Sequence, residues 1–182
     1  MVNKLSWVGS KKHFVDEISV VKVGKEVVLG RFGGNSTAGQ YKNEDGCLIW
    51  GDENQDWEFV ILLDAHFTAE SAELVISTIE KNEQRFLDIF TLPVKRLFTS
   101  LNALILETFQ SENFLQGCEN VQGETDCLFV LRKVQYLWWF SIGDCLLLLH
   151  HPEFEELGEY QQNHRSFYEW VGRESTFNKD VP

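Results

Sequence analysis

Two acidic clusters stand where packing alone would not ask for charge. Asn43-Glu44-Asp45-Gly46 comes immediately before a hydrophobic run, and Asp64-Ala65-His66 directly follows one. Carboxylates delivered by the ends of adjacent strands can converge on a hard divalent cation, because Mg²⁺ and Mn²⁺ favour oxygen ligands in octahedral geometry and usually keep several waters. A cation held this way makes water a nucleophile near neutral pH, or stabilises the charge on a transferring phosphoryl group. His66 is then placed to protonate a leaving alkoxide. Each residue also has a plainer reading. Asp45-Gly46 is an ordinary turn dipeptide; Asp64 could cap a helix, although Thr68 fills that role better; and a lone histidine is more often hydrogen-bonded at a surface than catalytic.

The elements that must position these groups are legible in the hydrophobic pattern. Ile18–Val23 and Glu26–Gly30 read as two β-branched runs turning at Gly24-Lys25, a hairpin signal. The glycine-rich stretch from Arg31 to Asn43 reads as loop or short edge strand. Cys47–Trp50 and Trp57–Leu63 form a second hairpin across the polar turn 51–56, with the second strand ending at Asp64. Ala72, Val75, Ile76 and Ile79 recur at helical spacing and predict a helix over about 68–81, opened by Thr68. Apolar positions from Phe86 to Phe109 keep the helical period with Pro93 in their midst, which predicts two helices or a kink. After a turn-prone stretch over 116–124, Cys127–Leu131 and Tyr136–Ile142 are strand-like, and Cys145–Leu149 makes a third run. Strands, then helices, then strands predict an α+β fold with helices layered on sheets.

Composition sets the bounds. With 182 residues and 43% hydrophobic content, one core and one domain spanning 1–182 are expected. No run approaches the roughly 18 apolar residues of a membrane span, and the amino terminus lacks the apolar core of a signal peptide. The expectation is a soluble, cytoplasmic protein without a membrane partner. A formal net charge of −12 repels nucleic-acid phosphate and so lowers the prior for a nucleic-acid partner. Such a chain can still handle phosphate where a bound cation reverses the local sign. Cys47, Cys118, Cys127 and Cys145 form no CxxC pair, and are expected to be reduced, mostly buried thiols.

The order of the motifs carries a resemblance. Ser36–Gly46, ending Asn43-Glu44-Asp45-Gly46, resembles the Asn-Glu-Asp opening motif of the type 2C, metal-dependent serine/threonine protein phosphatases, and Val60–His66 is similar to that family's strand ending in Asp-Gly-His. Gly123-Glu124-Thr125-Asp126 and Leu137–Cys145 resemble its Gly-x-Thr-Ala strand and its Gly-Asp-Ser turn. The resemblance spans roughly residues 17 to 150. It implies a four-layer α-β-β-α sandwich of two antiparallel sheets flanked by helices, with two Mn²⁺ or Mg²⁺ ions at one end of the sheets. Asp64 would bridge both ions, Glu44 and the carbonyl of Ala65 would hold one, and Asp45 would orient metal-bound water. His66 would be the general acid in direct hydrolysis of a phosphoserine or phosphothreonine protein substrate.

Departures from the family pattern lie close to the site. Ala65 replaces a glycine, which suits a negative φ; Phe67-Thr68 follow His66 in place of glycines; and Cys145-Leu146 replace Ser-Arg. Asp126 stands where a small residue is usual, so Asp126 and Asp144 stay open between structural and functional roles. The family's phosphate-gripping arginine has no counterpart just before Glu44; Gln40 stands near that place, and Lys42 is the nearest cation. The family's last metal-binding aspartates would fall beyond Pro182, so the chain reads as an amino-terminal portion lacking the end of the domain. The alternative is a phosphatase-like regulatory or binding module that kept the fold, lost the chemistry and acts through a protein partner.

Overall fold

The computed structural model describes residues 2–176. In strand β5 (Trp57–His66), Trp57, Phe59, Ile61, Leu63 and Ala65 are buried, while the residues between them are partly or fully exposed. That period-2 pattern is what a strand with one face on a helical layer requires. Its neighbours are β4 (Gly46–Asp52) and β6 (Glu124–Lys133), both antiparallel. Strands β1 (Asn3–Val8) and β7 (Tyr136–Ile142) lie outside these, so the path runs β1-β4-β5-β6-β7, and β8 (Val171–Gly172) adds a short pairing to β6 to give a six-stranded sheet. Strands β2 (Ser19–Val23) and β3 (Val27–Arg31) make a separate two-stranded sheet.

Helices α1 (Glu70–Lys81), α2 (Glu83–Phe90), α3 (Val94–Phe109) and α4 (Glu112–Glu119) supply the other half of the main core. In α1 the buried Ala72, Val75, Ile76 and Ile79 follow helical spacing. Pro93 stands as the N-cap of α3 and separates it from α2, because a proline inside the helix would lack the N–H that the ladder needs. The Phe59 ring sits at the centre of this core, 5.9 Å from Trp50, 5.7 Å from Phe86, 5.1 Å from Phe90 and 6.3 Å from Phe129. On the opposite face, Trp7, Phe14, Leu29, Cys47 and Ile49 form a smaller core beneath the β2–β3 hairpin. The layers are therefore helices, a six-stranded antiparallel sheet, and the hairpin.

The fold is α+β with antiparallel sheets and helices, as the order of patterns predicts. Several boundaries differ from the sequence reading. The weakly patterned residues near the amino terminus hold β1, an edge strand whose Leu5 faces Ile49 of β4. Strand β5 continues past Asp64 to His66 because β6 runs beside it to Glu124. Helix α1 starts at Glu70, since Thr68 directs its hydroxyl to the Gln122 carbonyl while accepting from the Glu70 N–H. The turn-prone stretch begins within α4, whose cap Ser111 accepts a hydrogen bond from Phe114 N at 3.3 Å. The run Cys145–Leu149 forms a single bridge, Leu148 to Gln161, in place of a strand. A further short helix, α5 (Pro152–Leu157), lies in the polar tail. The four cysteines are free, with Cys47, Cys118 and Cys127 buried. No helix among the described residues is long and apolar enough to cross a membrane.

Phe59 is fully buried among those rings, so Phe59→Ala should lower stability by about 3–5 kcal/mol. Val28 faces solvent with 63% exposure, and Val28→Thr should stay within about 0.5 kcal/mol of the wild type. Urea denaturation of the two variants checks both values.

Candidate metal centre at the ends of β4, β5 and β6

The register of the sheet brings the acids together. Asp64 lies directly opposite Asp126 across β5 and β6, and His66 lies opposite Glu124. Gly46 pairs with Leu63, so Asp45, one residue before β4 begins, falls beside Asp64 at the next step. Asp64 follows Leu62 by two residues and Asp126 precedes Leu128 by two, which puts both on the face away from the helices. Ligand atoms of Asp64, His66 and Asp126 lie within 4.8 Å of one another. His66 Nε2 is 3.9 Å from Asp64 Oδ1.

Asp45 and Asp126 are held by backbone chemistry. The Asp45 carboxylate accepts from the Ala65 N–H. Asn43 is buried, and its side-chain oxygen accepts from Asp45 N at 2.9 Å, while Gly9 N donates to the Asp45 carbonyl at 2.8 Å. Gly9 has no room for a Cβ against the Asn43 carbonyl, so the two backbones cross in contact. Asp126 is 6% exposed, and its Oδ2 accepts from Asp144 N at 2.8 Å. The turn at Gly143 makes this possible: its φ is +87°, and a Cβ there would overlap the Asp126 carboxylate. Asp144 in turn pairs with Arg165 at 2.9 Å.

Crowding shows in the acid strengths. Asp45 keeps solvent access as a residue, yet partial desolvation of its carboxyl and the charge of Asp64 raise it to about 6. Burial, then the Asp144 and Asp64 carboxylates against it, raise Asp126 to about 6 even though the Asp144 N–H favours its ionised form. Cys145, whose thiol borders the same acids, is pushed up to about 12 by burial and by Asp64, Asp126 and Asp144. A thiol held so far from ionisation is inert as a nucleophile.

Asp64 is the wall shared by two cavities. One, of about 280 Å³, lies under the β2–β3 hairpin and is bordered by Arg31, Phe32, Asp45, Leu62, Asp64 and Cys145 among others. The second, of about 270 Å³, is bordered by Asp64, His66, Glu124, Asp126, Asp144 and the tail residues Phe167 and Trp170. A third, of about 380 Å³, runs along Gly33, Gly34 and Asn35 to Lys42, Glu44 and Asp45.

Of the residues singled out in the sequence, Asp45, Asp64 and His66 come to one place. Ala65 lies between them in β5 with its side chain in the core, and its φ is not in the positive region; the positive φ of this turn, +75°, falls on Phe67. Glu44 instead forms an ion pair with Lys42, whose Nζ also donates to the Phe67 carbonyl at 2.9 Å. Lys42 is thus engaged with protein groups. Asp126 is one of the two acids whose role the sequence left open; the matching alternation of β5 and β6, each carrying an Asp next to an inward-packed residue, Leu63 and Cys127, is the signal that joins it to Asp64. Comparison of the chain with protein-family models, with curated proteins and with solved structures finds no match.

The raised carboxyls set the sign of a pH dependence. Between 3.8 and about 6 the folded protein binds more protons at Asp45 and Asp126 than the unfolded chain does, so their contribution to stability is greatest at low pH and is lost as pH rises through that window. Asp126→Asn should therefore be more stable than the wild type at pH 7.5 by about 1–2 kcal/mol, and the difference should close near pH 4. Urea midpoints at the two pH values, in chelator, measure it. Gly143→Ala should cost roughly 1–3 kcal/mol through the positive φ and displace the Asp126 carboxylate, which thermal unfolding and the loss of that pH dependence would register together.

Proposed function

We propose that this chain carries the site of a metal-dependent phosphoprotein phosphatase, hydrolysing phosphoserine or phosphothreonine with water as the nucleophile. The observation that supports it most is the convergence of Asp64, Asp126 and His66 donor atoms within 4.8 Å, with Asp45 alongside. The donor set fits a hard cation: carboxylate oxygens from adjacent strands, where burial and neighbouring charge raise the pKa of Asp45 and Asp126, are relieved by a divalent charge. Asp64 and Asp126, with Asp45 and the Ala65 carbonyl next in reach, are the groups that would hold Mg²⁺ or Mn²⁺. When bound, the cation supplies Lewis-acid stabilisation of the phosphoryl charge and lowers the pKa of water.

The chain's own residues do the rest. Asp45 orients the attacking water from beside Asp64. His66, exposed at the end of β5, delivers a proton to the serine or threonine oxygen as the P–O bond breaks. The four-layer α-β-β-α sandwich belongs to the same reading, with the β2–β3 hairpin as part of its second sheet. A second reading, a phosphatase-like module that binds a protein partner without turnover, is favoured by the Lys42–Glu44 ion pair, which withdraws one acid and one cation from the chemistry.

A phosphothreonine peptide assayed with Mn²⁺ or Mg²⁺ separates the two. Turnover that needs the cation and falls at least about 100-fold in Asp64→Asn is the expected result. Cation binding by thermal shift without turnover would favour the binding module, and wild-type turnover in Asp64→Asn would remove Asp64 from the site.

A further inference from the structure

The helical layer holds a cavity that takes no part in the acidic site. At about 570 Å³ it is larger than the three around the acids, and it falls within the roughly 300–1,000 Å³ of small-molecule sites. It lies at the carboxyl-terminal end of α1, whose other end follows His66. Two contacts on its border tie the helices together. Gly117 of α4 lies so close to α1 that a Cβ there would come within 2.8 Å of Leu74 Cδ1. Arg85 of α2 pairs with Glu107 of α3, its Nη2 2.8 Å from each carboxylate oxygen. Leu74 and Phe114 make the apolar part of the border, and the Phe114 ring, 3% exposed, is fixed by stacking on Phe109 at 4.6 Å.

Most of the polar groups on this border are engaged. Thr108 and Ser111 direct their hydroxyls to backbone carbonyls, and Asn82 Nδ2 donates to the Thr78 carbonyl at 2.9 Å. The Lys81 ammonium, the Thr78 hydroxyl and the Asn113 side-chain amide border the cavity with no hydrogen-bond or ion-pair partner among the described residues. Glu107 cancels the charge of Arg85 and leaves that of Lys81 over, so the cavity border carries +1 in a protein of net charge −12. Leu74, Thr78 and Lys81 stand at i, i+4 and i+7, which puts an apolar group, a hydroxyl and a cation along one stripe of α1. From first to last the stripe is about 10 Å long. One uncompensated ammonium matches a single negative charge, and a charge-assisted hydrogen bond to it is roughly twice as strong as a neutral one.

We infer that this cavity is a binding site for a small organic monocarboxylate with an apolar body of medium-chain length. The carboxylate lies on Lys81, Thr78 and Asn113, and the hydrocarbon runs toward Leu74 and Phe114. The assignment stands independently of the metal-dependent reading, since none of these residues belongs to the acidic site.

Octanoate is the probe, with octan-1-ol as the uncharged control of equal chain length. Titrated into the full chain in chelator, octanoate should shift the backbone amides of Thr78 and Gly117 and the side-chain amide of Asn113 along one saturable curve. Lys81 is exposed, so Lys81→Met should fold as the wild type does and weaken octanoate about tenfold or more. Octan-1-ol should bind more weakly than octanoate by a similar factor. Lys95→Met removes an exposed lysine of α3 away from the cavity and should leave the affinity unchanged. Shifts that do not saturate, wild-type affinity in Lys81→Met, or octan-1-ol bound as tightly as octanoate would overturn the inference. So would an equal loss in Lys95→Met, which would trace the effect to overall charge.

Discussion

The antiparallel register of β4, β5 and β6 is the constraint on which the site depends. Phe59, Ile61 and Leu63 must face the helices to build the main core, as must Phe129 and Leu131 of β6. With a side-chain period of two, this obliges Leu62, Asp64 and His66 to face the other way, and Asp126 and Leu128 with them. A slip of one residue in β6 would drive Asp126 into the apolar layer under the helices and Cys127 out of it. The burial that makes the fold stable is thus the same fact that sets two carboxylates face to face, and their mutual repulsion is held in check by the core beneath them.

What the register aligns, tight backbone crossings hold in place. Asp45 lies outside β4, and three separate contacts restrain it: the Ala65 N–H on its carboxylate, Asn43 on its amide and Gly9 on its carbonyl. Across the site Gly143 lets Asp126 lie flat against a left-handed turn, where Asp144 N reaches it. These are short, directional interactions at strand ends, and they restrict the acids to a narrow range of positions before any ligand arrives. Preorganisation of this kind lowers the entropy that any ligand-binding site must give up on ordering its side chains.

Much of this was legible in the sequence, and the parts that were not share a cause. The hairpins around Gly24 and residues 51–56, the helix over Ala72–Ile79 and the break at Pro93 all rest on local periodicity, and the structure has them. So do Asp45, Asp64 and His66 as neighbours. Strand β1 escaped because an edge strand with one polar flank lacks clean alternation, and the Cys145–Leu149 run misled because apolar residues there, Leu146 and Leu148, stay half exposed. Glu44 and Lys42 were read as separate tools for metal and phosphate, whereas two residues apart in an extended loop they neutralise each other. Asp126 and Arg31 depend on long-range pairing, on which strand lies beside which and which face a hairpin presents, and no local window contains that.

The charges near Asp64 form a small self-consistent system. Three carboxylates, Asp45, Asp64 and Asp126, crowd one end of a sheet in a protein of net charge −12; Asp45 and Asp126 accept from backbone N–H groups, and among the described residues exposed His66 lies 3.9 Å from Asp64. Asp144, the next acid, is the one that has an arginine, Arg165. Arg31, the cation that borders the cavity with Asp45 and Asp64, spends itself on two aromatic rings and a serine hydroxyl. If Arg31 served only to neutralise the acids, an ion pair would be the cheaper arrangement, since a guanidinium and a carboxylate in hydrogen-bond contact satisfy each other's donors and acceptors at once. Keeping them apart leaves opposite charges on the border of one cavity of about 280 Å³, held there by the packing of the hairpin on the sheet and not by their mutual attraction.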